Sequence, residues 1–236
     1  TLKGVTAVLR LAPVDKAVFE LTRQASVPGL AQATLGWPAG TAALLGVGIG
    51  LALLAWALGA ANMREGPNLL AGPGIGATIA ALWWVTGKLG FVAEHPETLQ
   101  EAFAAASVTG RSESLTFTAP MAYTLDWLLF FSDKSKVLTV GVVAVLGVVA
   151  GACVAALLGR TFRWEGFGGT EDLANHLAGG LLMGVGGVTA LGCTVGQGLS
   201  GISTLSLTSF FSVGGIVVGA WLAFKYQTWR IERMMA

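Results

Sequence analysis

The residues best suited to chemistry lie in one stretch near the end of the chain, GCTVGQGLSGISTLS, which runs from Gly192 to Ser206. Within it, the residues GQGLSG at 196–201 match the G-x-G-x-x-G pattern of dinucleotide-binding loops. Cys193, one of two cysteines in the chain, comes just before this match. The stretch is therefore open to three interpretations: phosphate binding, thiol redox chemistry, and recognition of another small anion.

The sequence around the glycines disfavours a dinucleotide loop. Such a loop follows a β-strand, opens a soluble helix, and has an acidic residue about 20 positions further on. Here the preceding residues are apolar and rich in glycine, and no Asp or Glu occurs between Gly201 and Glu232. We therefore expect no nucleotide cofactor.

The cysteines give little support for redox or metal chemistry. Cys153 and Cys193 are separated by 39 residues and form neither a C-x-x-C motif nor a zinc-ligand spacing. A disulfide between them is a weak alternative, since each thiol is also compatible with simple burial. His176, in EDLANHLAGG, has no cluster of carboxylates or histidines around it and is better interpreted as a residue at a helix end. We expect no catalytic residue, metal or cofactor.

The third interpretation is a path for a small anion at a broken membrane helix. A break exposes backbone N–H groups at the new helix N-terminus, and these groups attract anions. Because the stretch contains no Lys or Arg, an anion would be held weakly and could leave again, as transport requires. The residues predicted to line this path are Gly192, Cys193, Thr194, Gly196, Gln197, Gly198 and Ser200. An equally good alternative is a helix-packing seam of small residues with an inert cysteine, which bulky residues at Gly184 or Gly196 would disrupt.

The composition indicates an integral membrane protein. Hydrophobic residues make up 54% of the 236 residues, charged residues only 11%, and the mean hydropathy is +0.70. Soluble domains carry about 25% charged residues, so this chain could hardly cover a soluble surface. A net charge of +1 gives no sign of a nucleic-acid partner.

The hydropathy pattern predicts an all-α polytopic membrane protein with about five transmembrane helices and additional short or broken ones. Residues 1–38 are predicted to form an amphipathic connector and residues 39–236 the membrane domain. The predicted spans lie at 39–61, 69–92, 137–159 and 213–229, with a broken, glycine-rich helix at 173–201. Two short apolar segments, at 114–131 and 202–212, each precede a full span. The first contains Pro120 and Asp126 and is predicted to be a re-entrant or broken helix.

Three stretches resemble one family of membrane proteins. HLAGGLLMGVGGVTALGCTVGQGLSGISTLS, at 176–206, closely resembles the signature of the YeeE/YedE sulfur-transport family. SLTFTAPMAYTLDWLLF and GACVAALLGRTFRWEGF are similar to segments of that family's C-terminal half. The resemblance covers roughly residues 40–229.

The resemblance implies half of an inverted-repeat transporter in the inner (cytoplasmic) membrane, taking up thiosulfate or a related small sulfur compound. It implies that Cys193, which matches the cysteine of the family's GC-x-x-GQG motif, passes the substrate along by brief hydrogen bonds. No role is implied for Cys153. A small sulfur carrier of the TusA type is the implied cytoplasmic partner.

This chain departs from the family pattern because it has no N-terminal half with its own cysteine motifs. We expect it to be a fragment, or a half-size subunit that needs a missing N-terminal half or another membrane subunit. The alternatives are a non-transporting subunit of a larger complex, which uses the glycine-rich stretch for packing, and an enzyme with persulfide chemistry at Cys193.

Overall fold

The computed structural model describes residues 26–36, 38–60, 65–93, 103, 112–133, 138–190 and 192–235. Most of the predicted amphipathic connector, 1–38, lies outside these residues, so that assignment stays a prediction. Regular secondary structure in the described part of the chain is helical, which confirms the all-α class. It comprises α1 (Val27–Leu35), α2 (Ala39–Gly59), α3 (Gly66–Trp84), α4 (Thr118–Leu129), α5 (Val140–Leu158), α6 (Thr170–Thr189) and α7 (Leu207–Met235), with π-helical segments at Val85–Leu89 and Gly196–Gly201.

Three of the described helical segments are long and apolar enough to cross a membrane: Gly66–Leu89, Val140–Leu158 and Leu207–Arg233. The apolar part of α2 that meets the same composition is shorter, Ala43–Gly59. At most 17% of the apolar window of any of the three spans is buried within the chain. Apolar surface this extensive needs lipid or other membrane helices to cover it. Five spans and an inverted repeat stay predictions.

The described residues fall into two compact units, and the chain passes from the first to the second between Gly196 and Gln197. The first unit contains α3 from Leu69 onward, α4, α5 and α6. Within it, α4 packs against both α5 and α6. A Cβ atom at Gly141 of α5 would lie 2.9 Å from Pro120 Cγ, so glycine allows α4 and α5 to approach closely.

The predicted short segment after Ser114 is a short helix, as expected. The 12 residues of α4 span about 18 Å, at about 1.5 Å per residue, against a hydrocarbon core of about 30 Å. A non-helical segment at 112–117 leads into α4. Pro120 lies in the first turn of the helix, where its missing N–H removes no helical hydrogen bond. This segment and the start of α4 carry hydroxyl groups toward α6.

The second unit contains α1, α2, the second π-helical segment from Gln197 onward, and α7. Ser26 caps α1 by accepting a hydrogen bond from the Gly29 N–H at 3.2 Å. The helix ends at Gly36, whose φ of 66° is readily accessible to glycine. The Val27 N–H donates to the Leu205 carbonyl at 2.9 Å and so fixes the start of α1 beside the turn that precedes α7.

Two predicted boundaries in the C-terminal region are wrong. The predicted short helix at 202–212 and the span at 213–229 are one continuous helix, α7, of 29 residues. The turn lies earlier, at 204–206, where Leu205 has a φ of 53°. The hydroxyl residues that marked a boundary in the sequence do not interrupt the helix. Ser209, for example, donates its hydrogen bond to a side chain, so it does not compete for backbone groups.

The glycine-rich region forms a broken helix, as predicted for 173–201. α6 runs without interruption through its five glycines and ends at Thr189. Ala190, Gly192 and Cys193 are not helical, and the helix resumes at Thr194. GQGLSG is itself π-helical. A glycine costs about 1 kcal/mol relative to alanine in a helix, whereas an unpaired backbone group in lipid costs several. Glycine content therefore does not end a helix in an apolar environment.

Candidate functional site around Cys193

Cys193 lies in the gap between α6 and the following helical turn. Two carbonyl groups in the last turn of α6 accept hydrogen bonds from residues that follow the helix. The Ala190 N–H donates to Gly186 O and the Gly192 N–H to Gly187 O, both at 2.8 Å. Gly192 is buried and Cys193 half-buried, while Thr194 is exposed. The helix resumes at Thr194, so Cys193 directly precedes backbone N–H groups that have no carbonyl partner within the helix.

Hydrogen-bond donors surround the Cys193 sulfur. The Gly196 N–H donates to Sγ at 3.4 Å, and the Thr116 hydroxyl lies 3.9 Å from it. The backbone N–H groups of Val195 and Phe117 lie within reach of the same sulfur. Because all of these groups can donate, the region around the thiol is suited to an electron-rich atom, either the sulfur itself or an anion beside it.

Glycine is needed at position 196 because Thr116 occupies the space of a side chain. A Cβ atom there would lie 2.6 Å from Thr116 Oγ1 and 3.1 Å from Thr116 Cβ. A second contact of this kind occurs one helix turn before the gap, where a Cβ atom at Gly187 would lie 2.8 Å from Thr118 Oγ1. The hydroxyl-bearing segment that leads into α4 therefore packs directly against the backbone on both sides of Cys193.

Thr116 is the residue of this site that the sequence alone did not reveal. It is separated from Cys193 by 77 positions in the chain. The only signal in the sequence is the pair of threonines in SLTFTAP, directly before the short helix. That pattern is common at helix starts, where hydroxyl residues serve as caps.

The remaining predicted path residues, Gln197, Gly198 and Ser200, belong to the second unit. Gln197 is 8% exposed, and its Oε1 accepts a hydrogen bond from the buried Ser209 hydroxyl at 2.6 Å. Ser200 is also buried, and its carbonyl accepts from the Ser203 hydroxyl at 2.6 Å. A Cβ atom at Gly201 would clash with Ser209 Oγ and lie 3.0 Å from Gln197 Oε1. Glycine at 201 thus allows this buried polar contact.

The described residues show where the side chains considered for redox and metal chemistry lie. Both cysteines are free thiols, and Cys153 is exposed on α5. Among the residues that the structure describes, no group of three His, Cys, Asp or Glu side chains could hold a metal ion. His176 is exposed in the second turn of α6, where Nδ1 lies 3.1 Å from Asp172 Oδ1. Asp126 is half-buried within α4.

The sequence matches a known family along almost its whole length. The model of a family described as sulphur transport matches residues 3–222. The thiosulfate transporter TsuA of Escherichia coli (strain K12) is 32% identical over 122 residues, which are 52% of this chain and 34% of that protein. TsuA of Spirochaeta thermophila is 35% identical over 77 residues, 33% of this chain and 23% of that protein.

The matched segments thus span about a third or less of the length of these curated relatives. No solved structure matches the chain. The family model, in contrast, extends across both compact units and includes every residue of the Cys193 site. On this match, the chain belongs to the sulphur transport family.

Proposed function

We propose that this chain forms part of a path for thiosulfate, or a related small sulfur anion, across the cytoplasmic membrane. The observation that carries the proposal is the position of Cys193: a free, half-buried thiol at a helix break, with backbone and hydroxyl donors around its sulfur. The family and the names of the two relatives support the same class of substrate.

The proposed site holds its anion by weak, exchangeable contacts. Gly192, Cys193, Thr194 and Gly196 supply the thiol, a hydroxyl and backbone N–H groups, and no Lys or Arg occurs between 192 and 206. Neutral donors around a soft sulfur bind a small anion without trapping it, which suits a path that the ligand must leave. Gln197, Gly198 and Ser200 contribute by holding the following backbone in its π-helical form.

A complete path requires further protein. The apolar windows of the three spans are largely bare within the chain, as a subunit or segment that packs against other membrane helices would be. We propose that a second membrane segment or subunit completes the path and that a TusA-like sulfur carrier receives the anion in the cytoplasm. The relatives are named as transporters, and we propose transport without catalysis.

Uptake of radiolabelled thiosulfate tests the proposal in cells whose own copy of the chain is replaced by a variant. Cys193→Ala should reduce uptake to the level of cells that lack the chain, because the thiol contacts the substrate. Cys153→Ala is the matched control: it removes the other, exposed thiol and should leave uptake unchanged. Equal amounts of inserted protein must be shown by immunoblotting of membranes. Normal uptake by Cys193→Ala would contradict the thiol role.

A second candidate, a non-transporting subunit that uses these residues as a packing seam, is favoured by the contacts of Gly187 and Gly196 with Thr118 and Thr116. A seam needs small residues and no particular chemistry at position 193. Cys193→Ser would then keep full function while Gly196→Val loses it together with assembly. A transport path instead predicts that Cys193→Ser loses uptake although the protein still inserts.

Persulfide chemistry is distinguished from both by mass spectrometry. In persulfide chemistry, the Cys193 thiolate would attack the outer sulfur of thiosulfate, break its S–S bond and release sulfite. The persulfide left on Cys193 adds the mass of one sulfur atom. The transport proposal expects the unmodified mass, because the contacts are hydrogen bonds. A persistent adduct on Cys193 but not on Cys153 would contradict it.

A further inference from the structure

We propose that Thr116 is a second ligand-contacting residue of the Cys193 site and that Thr86 positions it. This assignment deepens the proposed function and rests on it, since it names a specificity-determining group for the same small sulfur anion. The Thr116 hydroxyl and the Cys193 thiol are 3.9 Å apart, so one small anion can contact both groups.

Thr116 occupies its position without freedom to move toward Gly196. Its Oγ1 lies 2.6 Å from where a Cβ atom of residue 196 would stand, so the side chain fills the space left by the missing side chain. The Gly196 N–H in turn donates to Cys193 Sγ. Hydroxyl, thiol and backbone amide therefore form a single group of polar atoms on one side of the helix gap.

The segment that carries Thr116 is hydrogen-bonded to α3 and to the π-helical segment that follows it, Val85–Leu89. Thr86, in that segment, is 1% exposed, and its hydroxyl donates to the Glu113 carbonyl at 2.6 Å. The same hydroxyl lies 3.1 Å from Ser112 Oγ. Ser114, also buried, donates to the Ile79 carbonyl at 3.1 Å. A π-helical turn widens the helix and frees carbonyl groups, and such turns are frequent at functional sites.

These hydrogen bonds fix the backbone two and three residues before Thr116. Loss of the Thr86 hydroxyl would leave the part-buried Glu113 carbonyl without this donor, and the 112–117 segment could then shift. Thr86 thus acts through the backbone on Thr116 and is a positioning residue. Thr116 itself acts by offering a hydroxyl to an anion that lies beside the thiol.

Thiol labelling measures this role without requiring transport. In the full chain carrying Cys153→Ala, Cys193 is the one remaining thiol. Two methanethiosulfonate reagents of similar size are compared in membrane vesicles, one with a sulfonate and one with a trimethylammonium group. Each forms a mixed disulfide with Cys193 and releases methanesulfinate. The ratio of the anionic to the cationic labelling rate reports how strongly the site favours negative charge.

Thr116→Val keeps the shape of the side chain and removes the hydroxyl. We expect the ratio to fall about two- to tenfold, the range that one hydrogen bond supplies. Thr116→Ser, which keeps the hydroxyl, should preserve the ratio. Thr86→Val should lower it by a smaller factor, and Thr86→Ser should restore it. An unchanged ratio in Thr116→Val, or an equal fall in Thr116→Val and Thr116→Ser, would overturn the assignment.

Protection by thiosulfate separates this inference from the proposed function. If thiosulfate slows the labelling of the parent chain and protects Thr116→Val less, both proposals are supported. If thiosulfate fails to protect the parent chain although the charge ratio depends on Thr116, the proposed substrate is wrong while the role of Thr116 at the thiol stands.

Discussion

Glycines of two kinds occur in the same region of the sequence, and the structure separates them. Four glycines of α6, at 179, 180, 184 and 186, have no atom within 4 Å of an added Cβ. Gly187, Gly196 and Gly201 would each meet a Thr or Ser side chain at closer than van der Waals contact. We call the first set the open glycines and the second the crowded glycines. Gly187 and Gly196 lie on either side of Cys193 in the chain, and Gly201 lies beside the buried Gln197–Ser209 pair. The open glycines leave helix surface for lipid or other helices.

The same contrast applies to the packing-seam alternative, which predicts that bulky residues at Gly184 or Gly196 are disruptive. A bulky residue at Gly196 conflicts with Thr116 inside the chain, whereas an added Cβ at Gly184 meets nothing there. The contacts within the chain therefore support a disruptive effect of a bulky residue at Gly196 but give no reason for one at Gly184. Crowded glycines are therefore the positions where a single methyl group should matter.

The largest effect is expected for Gly201→Ala. The new Cβ would lie 2.9 Å from Ser209 Cβ as well as against its hydroxyl, so rotation of Ser209 does not relieve the conflict. Overpacking of this kind costs about 1–3 kcal/mol. The control is Gly215→Ala, an open position in the interior of α7, where alanine stabilises a helix by up to about 1 kcal/mol. Thermal unfolding in detergent should show opposite shifts, and equal shifts would break the contrast.

A somewhat smaller loss is expected for Gly196→Ala. The conflict is with the Thr116 side chain, which can turn away at the cost of its contact with Cys193. We expect a loss of about 1–2 kcal/mol, within the range for overpacking, and little or no loss for Gly184→Ala. Combining Gly196→Ala with Thr116→Ala should recover most of the stability, because the two changes act on the same contact. Strict additivity of the two losses would contradict the close approach.

The smallest effect is expected for Ser209→Ala. It removes the donor to the buried Gln197 Oε1, which costs about 1 kcal/mol. Thr204→Ala is the matched control, because the Thr204 hydroxyl is exposed and bonds to a carbonyl three residues earlier, Gly201 O. Its loss should be within about 0.5 kcal/mol. A Ser209→Ala variant as stable as Thr204→Ala would show that the buried pair contributes nothing to this turn.

Much of the fold was accessible from the sequence because hydropathy reports directly on burial in lipid. The span predicted at 137–159 is observed as Val140–Leu158, and the short helix after Ser114 is observed at Thr118–Leu129. The division of α7 at residue 212 was misplaced, because hydroxyl residues do not end helices in an apolar environment. Propensities measured in water overestimate their effect there.

The position of Cys193 at a helix break was predicted, but its neighbours were not. Thr116, Thr86 and Ser209 reach the glycine-rich stretch through contacts between distant parts of the chain or through side-chain pairs without periodic spacing. A single sequence contains no record of such contacts. The burial of Gln197 and Ser200, and the hydrogen bond from Ser209 to Gln197, were likewise not predicted from the sequence.

The central claim is that a small sulfur anion contacts Cys193, and protection of its thiol tests this most directly. Both cysteines are labelled with a maleimide in the full chain, with and without thiosulfate, and quantified separately by mass spectrometry. Cys153, exposed on α5, serves as the internal control. We expect thiosulfate to slow the labelling of Cys193 and to leave the labelling of Cys153 unchanged, with sulfate much less effective. Equal labelling of Cys193 with and without thiosulfate would contradict it.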